Sequence, residues 1–343
     1  MHPVFDGHND ALTRDDHERL AGGREGGHLD LPRMARGGMR GGIFAVFTPS
    51  APRRPRRRRA GPDGGYAEPL ADPVAQADAA AHATAVTDRL LALEREGSLV
   101  VAREIADVDS ALDGASPPAA VLHLEGAEAI DPGLEALGEW HATGLRSLGP
   151  VWSRANAFAH GVPFAFPSSP DLGPGLTERG AALLAACGEL GILVDLSHMN
   201  EAGFWDVARL EAGPLVASHS GVHALCPASR NLTDAQLDAI GASGGLVGIV
   251  FAPPFLRADF ADDPDTPLEL IARHARYVAE RIGVEHVALG SDFDGATIPA
   301  ELGDVAGLPK LVSALGEAGF GETELAAICW RNWRRVLAAW WGP

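Results

Sequence analysis

Six side chains of two chemical kinds stand where apolar runs end: His8 and Asp10 in VFDGHND, Glu125 in VLHLEG, His198 in ILVDLSH, His219 in PLVASH and Asp292 in VALGSDFDG. Imidazole nitrogen and carboxylate oxygen are the donors that hold borderline divalent metals. A set of them placed at the ends of apolar runs reads as a metal site assembled from strand ends.

Spacing sharpens the reading residue by residue. Side chains two apart on a strand share a face, so His8 and Asp10 can reach one ion together, although an isolated HxD tripeptide is more often structural. Glu125 follows the apolar run AAVLHL, where an unpaired buried carboxylate is costly and a cation is the usual resolution. Its two oxygens can bridge two cations; the competing reading is a glutamate at the start of the next helix. His198 and His219 lie 21 residues apart, each preceded by serine, and parallel neighbouring strands would set their rings side by side. Alone, either is more often a satisfied polar residue. Asp195 and His223 are placed to support these ligands rather than to act as ligands. In GSDFDG, Asp292 sits nearest the strand end as a metal-proximal base and proton-shuttle candidate, while Asp294 starts the loop.

The elements that must position these groups follow a repeated βα pattern. Apolar, β-branched runs fall at 3–5, 42–47, 119–124, 145–148, 191–196, 214–217, 245–251 and 286–290. Helical spacing follows at 73–96, 133–143, 178–190, 200–211, 233–243, 266–282, 305–318 and 322–340, with an extra strand and helix near 98–113. Eight such units predict an α/β fold, a (β/α)8 TIM barrel, as a single domain spanning 1–343 with long loops at 51–66 and 161–175. A doubly wound open sheet would carry a glycine-rich phosphate turn after the first strand, and here that turn reads DGHND.

Composition limits the function classes. A net charge of −18 repels phosphate backbones and argues against nucleic acid as a partner. The basic run Arg53, Arg54 and Arg56 to Arg59 lies among proline and glycine without aromatics and reads as a solvated loop. Cys187, Cys226 and Cys329 are too scattered for a disulfide framework or a CxxC module and read as buried fillers. No apolar stretch is long enough to span a bilayer and the chain starts on a strand, so the expectation is a cytoplasmic protein that does not bind membranes.

Taken in order, DGHND, LEG, DLSH, SHS, SRNLTD and GSDFDG resemble the membrane (renal) dipeptidase family of metallopeptidases over almost the whole chain. The resemblance implies an amidohydrolase-type barrel, usually a homodimer, with two zinc ions at its C-terminal face and dipeptides as substrates. It implies that His8 and Asp10 bind one zinc, that His198 and His219 bind the other, and that Glu125 bridges them. A water or hydroxide between the metals would be the nucleophile, and Asp292 would pass its proton to the leaving amine. Arg230 in CPASRNLTD matches the arginine that grips the substrate carboxylate, for which a guanidinium fork is well shaped. Substrates of the type L-Xaa-L-Xaa and L-Xaa-D-Xaa are implied.

Two departures from the family pattern stand out. LGPVWSRAN puts Trp152 where many members carry a histidine that contacts the substrate carbonyl. Trp152, or Asn156 nearby, could donate a hydrogen bond to the oxyanion, or Trp152 could simply wall the pocket. In CWRNWRRVL, Arg331 replaces a glycine, and the surrounding Trp330, Trp333, Trp340 and Trp341 could form a dimer contact or seal the barrel. Hydrolysis of another amide or ester on the same metals (a β-lactam, a lactone, an N-acyl amino acid) is the alternative reading, and a catalytically silent metal-binding barrel is a third.

Overall fold

Eight parallel strands, each ending in or near a polar group, form the frame of the computed structural model, which describes residues 2–50, 59–60 and 65–342. They are β1 (Val4–Asn9), β2 (Met39–Phe47), β3 (Ala119–Glu125), β4 (Leu145–Gly149), β5 (Leu193–Val194), β6 (Val216–Ser220), β7 (Leu246–Ile249) and β8 (Val287–Leu289). Strands β1 to β5 pair in sequence order, and so do β6 to β8. Two seams join the arcs. Leu196 N–H donates to Val216 O at 2.7 Å between β5 and β6. Asp292 N–H donates to His8 O at 3.0 Å and Asp10 N–H to Phe293 O at 2.8 Å, between the segment after β8 and β1. The strands therefore close on themselves as a barrel, and such barrels gather their functional residues at the C-terminal strand ends.

Helices cover the outside because their apolar residues recur at helical spacing. In Glu269–Ile282, for example, Ile271, Ala272, Ala275 and Val278 are buried on one stripe together with His274. Starts are fixed by side-chain caps: Thr177, Asn200 and Thr233 each accept from the backbone N–H three residues on. The final segment is not one helix from 322 to 340. Glu322–Ala326 and Asn332–Trp341 flank a π-helical turn at Ala327–Arg331.

Three details differ from the expectations. The second strand begins at Met39 rather than residue 42, pairing Met39 with Val4 and Gly41 with Phe5, where a Cβ on Gly41 would stand 3.0 Å from the Phe5 ring. A short helix, Leu31–Gly37, capped by Asp30, precedes that strand. The segments 51–66 and 161–175 are not only loops. Arg59–Ala60, Tyr66–Glu68 and Phe164–Phe166 pair as a small antiparallel sheet, with Tyr66 opposite Phe166 and Glu68 opposite Phe164. The basic run lies outside the described residues apart from Arg59.

The terminal tryptophans pack on the chain's own barrel. Trp333 is fully buried and donates to Leu289 O, Trp340 donates to Pro214 O and Trp341 to Arg146 O. Arg331 is exposed and lies over Trp330 with 5.3 Å from guanidinium carbon to ring centre. Cys187, Cys226 and Cys329 are buried free thiols, in keeping with their reading as fillers. Among the described residues, no helix is long and apolar enough to cross a membrane.

Candidate metal centre

Strand ends bring five donor side chains to one point. Glu125, the last residue of β3, sets its Oε1 3.2 Å from His198 Nε2, 3.7 Å from His8 Nε2 and 3.8 Å from His219 Nε2. His8 Nε2 lies 3.5 Å from Asp10 Oδ2, as their shared strand face predicts, and the Nε2 atoms of His198 and His219 are 3.2 Å apart. Ligand atoms of His8, Asp10 and Glu125, of Glu125, His198 and His219, and of His8, His219 and Asp292 each fall within 4.8 Å of one another. Two of these residues are held in backbone that ordinary side chains avoid: His198 has φ 66° and Asp292 φ 59°. Such left-handed positions turn the residue just past a strand end back toward the barrel axis, at an energetic cost typical of functional sites.

The hydrogen bonds behind the donors leave their outer nitrogens available. Ser218 Oγ donates to Asp195 Oδ2 at 2.6 Å and lies 2.8 Å from His219 Nδ1. With its one proton spent on Asp195, the serine can only accept from His219, so Nδ1 carries the hydrogen and Nε2 presents a lone pair. Ser153 Oγ pairs with His198 Nδ1 at 3.0 Å. With His8 and His123, Asp195 forms a further group whose ligand atoms fall within 4.8 Å of one another, and through Ser218 it backs His219. His223 does not: its Nε2 bonds to Ser168 O, away from His219.

Electrostatics test whether cations fit. Burial, reinforced by Asp10 and Asp292, holds the Glu125 carboxyl well above its usual range against the pull of His8. Burial also raises Asp292 to about 6. Burial opposes charge on His8, yet Glu125, Asp10 and Asp292 carry it up to about 10. His198 and His219 are pushed well below the normal histidine range, by burial first and then by neighbouring cations. Both nitrogens of His8 are buried without a hydrogen-bond partner. Clustered carboxyls reluctant to ionise, neutral imidazoles and orphaned ring nitrogens describe a pocket short of positive charge, which divalent ions would supply.

Above this cluster opens a cavity of about 690 Å³ lined by Asp10, Glu125, His198, His219 and Asp292 together with Arg230 and Trp152. Arg230 is buried, donates to Ser220 Oγ and His219 O at 2.8 Å each, and keeps Nε without a partner. Burial lowers its pKa to about 10, which leaves it cationic at neutral pH. Trp152 stands edge-on to Phe47 and Phe164, with ring centres 5.0 and 5.8 Å away, and 5.8 Å from the ring of His198. Asn156 does not line this cavity. Its amide donates to Pro150 O and accepts from Phe158 N and Ala159 N, so the expected substrate contact is replaced by a loop-holding role. Asp294 is engaged by Arg24 at 3.0 Å and by the backbone N–H of His28.

Some residues of the site escaped the sequence reading. His123 is fully buried one level below Glu125, edge-on to His8 at 5.6 Å, with Nδ1 on Ser147 Oγ at 2.9 Å. The two-residue spacing of HLE could have revealed it. Arg154 is buried against Glu128 at 2.9 Å and reaches Thr48 O and Ser50 Oγ, tying together the loops that carry Trp152. Gly295 also lines the cavity, and a Cβ there would collide with Asp10 and Asp292.

Comparisons with known proteins agree with this geometry. The family model described as membrane dipeptidase (peptidase family M19) matches residues 1–340. A crystal structure of a family M19 metallopeptidase, the dipeptidase AC, is 46% identical with a TM-score of 0.93, covering 100% of this chain and 99% of that one. A metallopeptidase from Rhodobacter sphaeroides, solved with a phosphinate mimic of the dipeptide L-Ala-D-Ala, is 45% identical with a TM-score of 0.94, covering 99% of each chain. Dipeptidase aclJ of Aspergillus oryzae is 30% identical over 351 residues, 98% of this chain and 77% of its own length.

Proposed function

The chain belongs to the membrane dipeptidase family of metallo-peptide hydrolases, and from that premise we propose that it cleaves the peptide bond of free dipeptides on two zinc ions. His8 and Asp10 would hold one ion, His198 and His219 the other, and Glu125 both. When bound, such ions lower the pKa of water and polarise a carbonyl. The observation that carries the reading is the convergence of three imidazole Nε2 atoms on one oxygen of Glu125, at 3.2 to 3.8 Å.

The chain's own groups do the rest. Arg230 takes the substrate carboxylate on its free Nε–H side, which fixes substrate length, since a longer peptide would bring an amide there instead. Asp292, at the cavity edge, accepts a proton from the attacking water. As the C–N bond breaks, the same carboxyl returns that proton to the leaving amine and is regenerated. Trp152 walls the reacting centre against solvent. Both L,L- and L,D-dipeptides are the expected substrates, the latter supported by the L-Ala-D-Ala mimic bound to the Rhodobacter sphaeroides relative.

The test is metal analysis paired with a dipeptide library scored for free amino acid release. Two equivalents of divalent metal, turnover lost on chelation, and turnover lost in Asp292→Asn with metal content retained are expected. Dipeptide turnover that survives complete metal removal would sink the reading.

A further inference from the structure

The aromatic residues at the cavity mouth enclose a second compartment. A cavity of about 290 Å³ is lined by Tyr66, Phe164, Pro254, Phe255, Phe260 and Asp262, with Ala261. It shares Phe164, Pro254, Phe255 and Asp262 with the larger cavity, so the two are continuous. Phe164 stacks on Phe255 at 6.0 Å and meets His198 edge-on at 6.2 Å. Phe260 closes the far side, 6.1 Å from Phe255 and 5.3 Å from Tyr66, and stacks on Phe166 at 5.0 Å.

Two features mark these rings as a ligand surface rather than core. Tyr66, Phe164, Phe255 and Phe260 are only half-buried, whereas Phe5, Phe44, Phe158, Phe251 and Phe293 inside the fold are closed off from solvent. Phe260 also has φ 58°, an unfavourable backbone for a bulky residue, and the stacking on Phe166 holds it there. The space is about the size at which small-molecule pockets begin.

We propose that this annex receives the side chain of the carboxyl-terminal residue of the substrate, and that the enzyme selects large apolar or aromatic side chains at that position. The inference rests on the dipeptidase reading, in which Arg230 holds the terminal carboxylate. The guanidinium carbon of Arg230 lies 5.9 Å from the centre of the Phe255 ring, so a residue whose carboxylate is held there has its own Cα beside the annex. The amino-terminal residue lies away from Arg230, on the Asp294 side, where Thr13, Arg14 and His28 line the cavity and Arg14 comes within 3.9 Å of Asp294. That wall is polar, and the annex is not. Among the described residues that line it, the one charged group is Asp262, which is acidic and exposed and disfavours acidic side chains in the annex.

The test uses the metal-loaded full chain and an L-Ala-Xaa series, with Xaa as Gly, Ala, Leu, Phe and Asp in both configurations, beside the converse L-Xaa-Ala series. In at least one configuration of Xaa, kcat/KM for Leu or Phe should exceed that for Gly by about tenfold or more, with Asp lowest. In Phe260→Ala the Phe-to-Gly ratio should fall about tenfold, and in Asp262→Asn the Asp substrate should gain on the Ala substrate. A Phe-to-Gly ratio that Phe260→Ala leaves unchanged overturns the proposal, and so does an aromatic preference confined to the amino-terminal residue. Should Phe260→Ala not fold, the wild-type series decides. Turnover without side-chain preference defeats this inference alone; no turnover of any dipeptide defeats the dipeptidase reading with it.

Discussion

The hydroxyl of Ser218 lies 2.8 Å from Nδ1 of His219, its own neighbour in the chain, and donates its proton to Asp195 at 2.6 Å. A strand normally sends adjacent side chains to opposite faces, so this contact between neighbours fixes the ring by its inner edge and directs Nε2 to Glu125. Removing the serine should cost metal affinity without removing a ligand. In Ser218→Ala one of the two metal equivalents should bind about 10 to 100-fold more weakly, as is usual for groups that orient a metal-bound histidine. Competition with a calibrated chelator reads this directly, and two equivalents of unchanged affinity would show that Ser218 does not position His219.

Arg230 separates a dipeptidase from a hydrolase of other amides or esters. Replacement by Ala removes a buried, charge-assisted pair with the substrate, so kcat/KM for dipeptides should fall on the order of 100-fold or more. The same dipeptides carrying a carboxamide terminus should be poor substrates of the wild type and should lose little further in the variant. Equal losses on both substrates would mean that Arg230 is not a carboxylate clamp, and the alternative substrate classes would then take precedence.

How much of this was legible before the structure follows from where polarity interrupts apolar runs. The eight strands and the six strand-end groups were visible because a charged or imidazole side chain after an apolar β run is costly unless used. His123 was hidden by the same logic in reverse, since it lies within its run and looks like part of the strand. Ser153 and Ser147 gave no signal, because serine is common everywhere and its partner is set by tertiary contact. Asn156 was misplaced for a related reason. Sequence distance from Trp152 says nothing about loop direction, and the turn made by its own amide carries it out of the cavity. The mouth sheet escaped because its strands are two or three residues long and its pairing of Tyr66–Glu68 with Phe164–Phe166 spans about 100 residues of sequence.

Trp152 offers a clean choice between wall and hydrogen-bond donor. Phe keeps the aromatic face but lacks the indole N–H. If the residue walls the cavity, as its packing against Phe47 and Phe164 supports, Trp152→Phe should keep kcat within a fewfold of wild type. Loss of a real oxyanion donor typically lowers kcat by about 100 to 1,000-fold, so a drop of that size with KM little changed would assign the donor role instead.

His274 should make stability depend on pH away from the metal cluster. It is fully buried in the helix Glu269–Ile282, where Nδ1 accepts from Val222 N–H at 3.0 Å and Nε2 faces Leu256 O at 3.0 Å. An accepting Nδ1 requires the neutral ring with its hydrogen on Nε2. Burial, aided by Arg273 and opposed by the Leu256 carbonyl, lowers its pKa from 6.5 to about 4. The unfolded chain therefore binds a proton as pH falls through 6.5, while the folded chain refuses it until about 4. Stability from this group is fully present above pH 6.5 and is lost between 6.5 and 4, by about 3 kcal/mol at about 1.4 kcal/mol per unit. Gln can mimic one donor and one acceptor but does not titrate. The stability advantage of wild type over His274→Gln, measured by urea unfolding at fixed metal loading, should thus shrink by about 3 kcal/mol from pH 8 to pH 4. A constant difference across that range would mean that His274 is not held neutral, and that the loops it ties together at Val222 and Leu256, which lead to Arg230 and flank Phe255, are anchored some other way.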